Sequence, residues 1–110
     1  MSVIIIEDGN EGLGIYGPEP VAEAGDAITI YNRTKFDIKT YDPNGVLEDP
    51  LKPGKSISGK IIKASVTCKY QVRAKVLDGF YGYAIFAEID GNYEFLDRIY
   101  GTPRIIIVSS

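Results

Sequence analysis

The sequence contains no histidine and no tryptophan, a single cysteine, and no basic residue before Arg33. Without imidazole the chain lacks the commonest general base at neutral pH and the usual nitrogen ligand for zinc or copper. One thiol, Cys68, excludes an intrachain disulfide and agrees with a reducing compartment. The N-terminal apolar run, Val3 to Ile6, is only four residues long and follows no basic segment, so neither a signal peptide nor a spanning helix is expected. As written, the chain is expected in the cytoplasm, with a trimmed secreted form left open.

What is present describes an ordinary folded domain. Its 110 residues are 45% hydrophobic and 25% charged, away from the disordered and membrane classes and enough for one core, so residues 1–110 are expected to form a single domain. Twelve glycines and six prolines leave no long stretch of helical period between them, which predicts short elements joined by turns. In "SVTCKYQVRAKV", Val66, Cys68, Tyr70, Val72, Ala74 and Val76 alternate with Thr67, Lys69, Gln71, Arg73 and Lys75. That period of two predicts a strand with one buried and one wet face. Shorter alternations at Ile28 and Ile30, and at Phe36 and Ile38, predict further strands of an antiparallel sheet. The runs Val3 to Ile6 and Ile105 to Val108 are continuous, as expected of strands covered on both faces or paired inside a sheet. "DPNG" at 42–45 and "DGN" at 90–92 supply turn residues, the second joining two strands as a hairpin, and "SISGKIIKAS" holds at most a turn or two of helix. Seven or eight strands with this punctuation predict an all-β, antiparallel Greek-key sandwich or barrel.

"AGDAITIYNRTKFDIKTYD", followed by "LKPGKSISGKI" and "VTCKYQV", resembles the cupredoxin family across about residues 21 to 72. Members of that family carry a Gly-Asp turn into a strand of β-branched residues, an Asn-x-Thr bend, a later "PGxS" strand entry and a tyrosine-containing strand. The resemblance implies a cupredoxin-like sandwich, and for the family a copper ion held by two imidazoles, a thiolate and a soft axial thioether. Here the position after the bend is Phe36 or Asp37, and the position matching the thiolate is about Val72. Cys68 lies four residues earlier on the same strand face, with Met1 as the only soft partner. No metal site and no cofactor are therefore expected.

Core packing is the expected role of Cys68, between Val66 and Tyr70 on an apolar strand face. No carboxylate pair is placed for acid–base work, so the chain is expected not to be an enzyme. Acidic turns at Glu7, Asp8, Asn10 and Glu11 and at Asp90 and Asn92 have oxygen donors suited to calcium, but match no EF-hand loop and read as solvated turns.

Charge falls in blocks. Glu7, Asp8, Glu11, Glu19, Glu23 and Asp26 precede the first cation, and Lys52, Lys55, Lys60, Lys63, Lys69, Arg73 and Lys75 run without an acid. A net charge of −3 argues against nucleic acid, and no membrane contact is expected. Two faces are candidates for binding. The tyrosine-rich "DGFYGYAIF" offers Phe80, Tyr81 and Tyr83 beside two glycines, although Tyr81 and Tyr83 share parity with Ile85 and read equally as the rim of the core, and the wet strand face offers Lys69, Arg73 and Lys75. The functional expectation is a non-catalytic interaction or structural module whose partner is another protein or a second copy. A small-ligand or carbohydrate-binding module is the alternative.

Overall fold

The computed structural model describes residues 2–109. Its strands are β1 (Ser2–Gly9), β2 (Gly12–Tyr16), β3 (Val21–Ala22), β4 (Ala27–Asn32), β5 (Ile38–Tyr41), β6 (Leu47–Asp49), β7 (Lys52–Ser56), β8 (Ile61–Ile62), β9 (Thr67–Val72), β10 (Gly79–Gly82), β11 (Ala84–Ile89), β12 (Asn92–Phe95) and β13 (Arg104–Ile107). One layer is a six-stranded sheet in the order β2-β1-β4-β9-β6-β7. The other is made of two smaller sheets, β10-β13-β3 and β12-β11-β5-β8. Only Tyr83 separates β10 from β11, so these two strands run as one and join the smaller sheets into a single layer.

Alternation decides what lies between the layers. Ile4 and Ile6 on β1, Ile28 and Ile30 on β4, and Tyr70 and Val72 on β9 face Ile38, Ile62, Ile85, Ala87, Ile105 and Ile107 from the opposite layer, all buried. Isoleucine dominates because a β-branched side chain is stiff at χ1 and suits the pleated surface, so it loses little freedom on burial.

Most pairings are antiparallel, but β1 runs parallel to β4 and β3 parallel to β13, so the antiparallel expectation holds only in part. The continuous apolar runs at both ends lie inside sheets, β1 between β2 and β4 and β13 between β10 and β3. They alternate in burial all the same, Val3, Ile5 and Ile106 being half-covered on the outside. The strand expected from Val66 to Val76 stops at Val72, where its neighbour β6 begins at Leu47. Beyond that point Arg73 N donates to Val46 O, Val76 N returns to Arg73 O, and Ala74 and Lys75 sit exposed in a turn. Sequence alternation outlasts the strand because a strand ends where its hydrogen-bonding neighbours end. "SISGKIIKAS" is the end of β7, a turn and β8, and no helix occurs among the described residues.

Two local devices shape the ends of the sandwich. At the end of β4 the buried Asn32 turns the chain. Its amide donates to Phe36 O at 2.8 Å and to Ile62 O and Lys63 O at 3.1 Å each, while Oδ1 accepts from Thr34 N at 3.1 Å and Thr34 Oγ1 at 2.7 Å. One side chain thus ties the bend after β4 to the end of β8 through their backbone groups. Between β12 and β13 the segment from Asp97 to Ile99 crosses to the other layer and covers the β2 edge, with Ile15 N donating to Asp97 O at 3.0 Å and Ile99 N to Ile15 O at 2.9 Å. Gly14 makes this approach possible, since a Cβ there would lie 2.8 Å from Asp97 O and 2.7 Å from the Ile99 side chain.

Candidate functional site

The hairpin of β11 and β12 closes on Asp90 and Gly91, both at positive φ of 52° and 82°, as a two-residue turn requires. Its register sets Phe86 opposite Phe95 and Glu88 opposite Tyr93, while on the other side of β11 Phe86 faces Lys39 and Ala84 faces Tyr41. Ile85 and Ala87 take the buried face, so Phe86, Tyr93, Phe95, Lys39 and Tyr41 all share the outer one. Ile61 extends that face through its pairing with Lys39.

Nothing among the described residues covers this surface. Tyr41 is 52% exposed, Tyr93 46% and Phe95 53%. The rings of Phe86 and Phe95 meet edge to face with centroids 5.8 Å apart, and Lys39 Nζ stands 5.1 Å from the centre of the Tyr93 ring. Lys39, Thr40, Tyr41, Gly59, Phe86 and Tyr93 line an open depression of about 420 Å³. The outer face of the six-stranded sheet is mixed: Thr29, Thr67, Lys69 and Gln71 lie beside Val3, Ile5, Tyr16 and Tyr31, all four half-buried, with the Arg33 guanidinium 5.1 Å from the Tyr31 ring centre. Single exposed apolar residues are normal on any protein, whereas several contiguous aromatics on one sheet face mark a contact surface.

The residues singled out in the sequence are distributed otherwise. Phe80 lies on the same outer face, further along the continuous β10–β11 strand, 66% exposed and capped by the Arg104 guanidinium 4.6 Å from its ring centre. Tyr81 and Tyr83 have the opposite parity and pack against the core. Tyr81 Oη donates to Leu77 O at 2.6 Å, and burial pushes the Tyr83 phenol well above its ordinary range. The three rings do not converge. The basic residues do not form a row either: Lys69 is exposed on β9, Arg73 is held by a bond from Nη2 to Gly54 O at 3.1 Å, and Lys75 lies in the following turn. Among the described residues no ion pair joins the two charge blocks to each other: Lys60 meets Asp49 at 3.8 Å, Lys63 meets Asp37 at 3.2 Å and Arg104 meets Glu19 at 2.9 Å.

Tyr93, Phe95 and Phe86 were legible in principle, because a two-residue turn at 90–91 fixes Phe86 opposite Phe95 by counting. Tyr41 and Lys39 arrive from a distant strand, and no local signal places them there.

No family model matches the sequence, and no curated protein does. Among solved structures, a reduced amicyanin variant superposes with a TM-score of 0.54 at 14% identity, over 97% of this chain and 81% of that one. An oxidised amicyanin variant gives 0.53 at 14% identity and a Cu(I) amicyanin variant 0.51 at 12%, each with the same coverage. The chain has a cupredoxin-like fold. Identity this low speaks for the fold alone.

A copper ion does not fit the residues that the cupredoxin-like frame offers. There is no imidazole in the chain. After the bend, the Phe36 carbonyl is taken by Asn32, and the Asp37 carboxylate accepts from Ala64 N at 3.0 Å and Lys63 Nζ at 3.2 Å. The sequence alignment of Val72 with the thiolate position also fails in space. Val72 N bonds to Asp26 O at the start of β4, whereas Phe36 lies beyond the other end of that strand. A strand of that length separates them by on the order of 20 Å, far more than ligands of one ion allow. Cys68 faces Ile30 and is half-buried against the core; Met1 lies outside the described residues. Among the described residues no group of three or more His, Cys, Asp or Glu side chains is placed to hold a metal. Titration with Cu(II) is expected to produce no saturable visible band and no stoichiometric rise in Tm; either would overturn this.

Asp37 makes a second prediction. The Ala64 N–H and then Lys63 hold its carboxyl below the ordinary aspartate value of 3.8. A depressed carboxylate contributes stability that is fully present above the ordinary value and is lost as pH falls through the lower folded one. Asp37→Asn should therefore cost most near neutrality and converge with the parent in acid, as read from urea midpoints between pH 2 and 7. A constant difference across that range would contradict it.

Proposed function

We propose that this chain is a non-catalytic interaction module and that its contact surface is the outer face of the β12-β11-β5-β8 sheet. The observation that carries the reading is the grouping of the exposed rings of Tyr41, Tyr93 and Phe95 around the half-buried Phe86 on one sheet face, with nothing among the described residues packed over them. Aromatic rings provide a large contact area for little lost side-chain freedom, and they are enriched at protein interfaces. The face holds four residues each on β12 and β5, six on β11 and two on β8, on the order of 250 Å². Face-to-face packing of two copies would bury roughly 500 Å² in all, below the 1,200 to 2,000 Å² of a stable interface. A stable dimer through this face alone is therefore disfavoured, and a partner protein that also engages its rim is preferred.

The alternative occupant is a sugar or another small ligand, favoured by the depression of about 420 Å³ beside Tyr41 and Tyr93. Amide shift mapping on labelled protein decides. Movement of Lys39, Tyr41, Phe86 and Tyr93 on adding short unstructured peptides supports the first reading, and the same movement with soluble oligosaccharides supports the second. Responses confined to Tyr81, Tyr83 or the Lys69 face would overturn both.

A further inference from the structure

Among the described residues six strands stand at sheet edges, and all but one of these edges are covered, short or built from residues that deter pairing. The β2 edge is covered by Asp97 to Ile99. On β7, Lys52, Pro53 and Lys55 occupy three of five positions, the residues that deter pairing with another chain. Two edges, β3 and β8, are two residues long, and β10 spends two of its four residues on glycine. The remaining edge is β12, Asn92-Tyr93-Glu94-Phe95, exposed along its whole length and without lysine or proline.

The register states which backbone groups β12 offers. Ile89 pairs with Asn92 at the turn and Leu96 N donates to Ile85 O, so the amides and carbonyls of Asn92, Glu94 and Leu96 point at β11. Those of Tyr93 and Phe95 point outward, beside side chains that already belong to the aromatic face. Along the hairpin itself charge has one sign, Lys39 of β5 being the cation that reaches the Tyr93 ring from across the sheet. Between Ala84 and Asp97 the chain carries Glu88, Asp90, Glu94 and Asp97 and no cation.

We propose that β12 receives an extended segment of a partner protein as an added antiparallel strand, with apolar residues opposite Tyr93 and Phe95 and a lysine or arginine opposite Glu94. This rests on the interaction-module reading and names the partner for it. Backbone bonds to Tyr93 and Phe95 supply affinity, the aromatic face accepts every second side chain, and Glu94 selects for a cation. A second copy is the poorer occupant. Antiparallel pairing of two β12 strands in the register that uses both outward residues, Tyr93 of one copy against Phe95 of the other, sets Glu94 against its own counterpart, and like charges directly opposite repel.

The test uses the full labelled chain and three blocked seven-residue peptides: alternating Lys and Val, alternating Glu and Val, and the Lys–Val peptide with a central proline. The Lys–Val peptide should slow hydrogen exchange at the Tyr93 and Phe95 amides, and the other two should not. Glu94→Lys should weaken the Lys–Val peptide by about tenfold and admit the Glu–Val peptide. Phe95→Pro removes an outward donor without touching the β11 ladder, and should abolish binding while the hairpin amides of Glu94 and Leu96 remain protected. Strand addition is overturned if the Lys–Val peptide fails to bind at millimolar concentration, if both peptides bind equally, or if Tyr93 and Phe95 are already protected by self-association. Shifts at Tyr41 and Phe86 without protection at β12 would sink strand addition and leave the aromatic face standing. Protection at β12 that Phe86→Ser does not weaken would do the reverse.

Discussion

Asn32→Ala should lower stability by about 2 to 3 kcal/mol, through loss of the side chain that serves backbone groups on both sides of the bend. Asn32 is 2% exposed and bonds the Phe36, Ile62 and Lys63 carbonyls and the Thr34 amide. Each buried group left unpaired costs roughly 1 to 3 kcal/mol, and alanine supplies neither donor nor acceptor. Partial relaxation and entry of water lower the sum without removing it. Urea unfolding with fixed slope checks the size, and a loss under 1 kcal/mol would show that the bend is held by its neighbours. Asn32→Asp is the informative companion. It keeps the acceptor for Thr34 but turns a carboxylate toward three carbonyl oxygens, so its folded-state pKa must rise. Its deficit should be largest above that raised value and shrink as pH falls toward the unfolded carboxylate range of about 4.

Ile30→Ala is expected to cost about 2 to 5 kcal/mol, while Ile30→Val costs only about 0.5 to 1.5. Ile30 is 1% exposed on the central strand β4, between Ile4 of β1 and Cys68 of β9. A small internal void already lies beside Ile4, Ile30, Leu47 and Ile85, so the space vacated by truncation would merge with it rather than close. That places the expected loss in the upper part of the range. Against a total stability of roughly 5 to 15 kcal/mol for a domain of this kind, either alanine variant would be partly unfolded under mild stress. Thermal midpoints of both, with Ile30→Val as the control, separate a cavity effect from a general loss of hydrophobicity.

The fold was legible wherever a pattern was local. Ile28 and Ile30 alternate about Thr29 and form β4; Asp90 and Gly91 announce a hairpin and form one; the Asn32 and Thr34 bend is where the resemblance places it. Expectations failed where a distant neighbour decided the outcome. The strand ending at Val72 rather than Val76 depends on where β6 begins, and the parallel pairing of β1 with β4 involves residues more than twenty positions apart. Tyr81 and Tyr83 read either as a contact surface beside two glycines or, by their parity with Ile85, as the rim of the core, and they pack against the core.

Chemistry was constrained by the sequence more firmly than shape was. A chain without histidine and with one thiol cannot assemble the imidazole and thiolate set of a blue-copper site in any fold, because the donors do not exist. Hydrophobic period and turn residues likewise pointed to an all-β sandwich or barrel from within the chain, since both act over a few neighbouring residues, and the resemblance chose the sandwich. Which outer face became aromatic was left to the tertiary structure. Tyr41 and Lys39 join Phe86, Tyr93 and Phe95 only because β5 pairs with β11, more than forty residues away in sequence. Strand edges are settled the same way: β12 is exposed because no other segment pairs with it, and Asp97 to Ile99 cover β2 instead. Pairing between distant strands depends on the whole set of competing partners, so no short stretch of sequence encodes it.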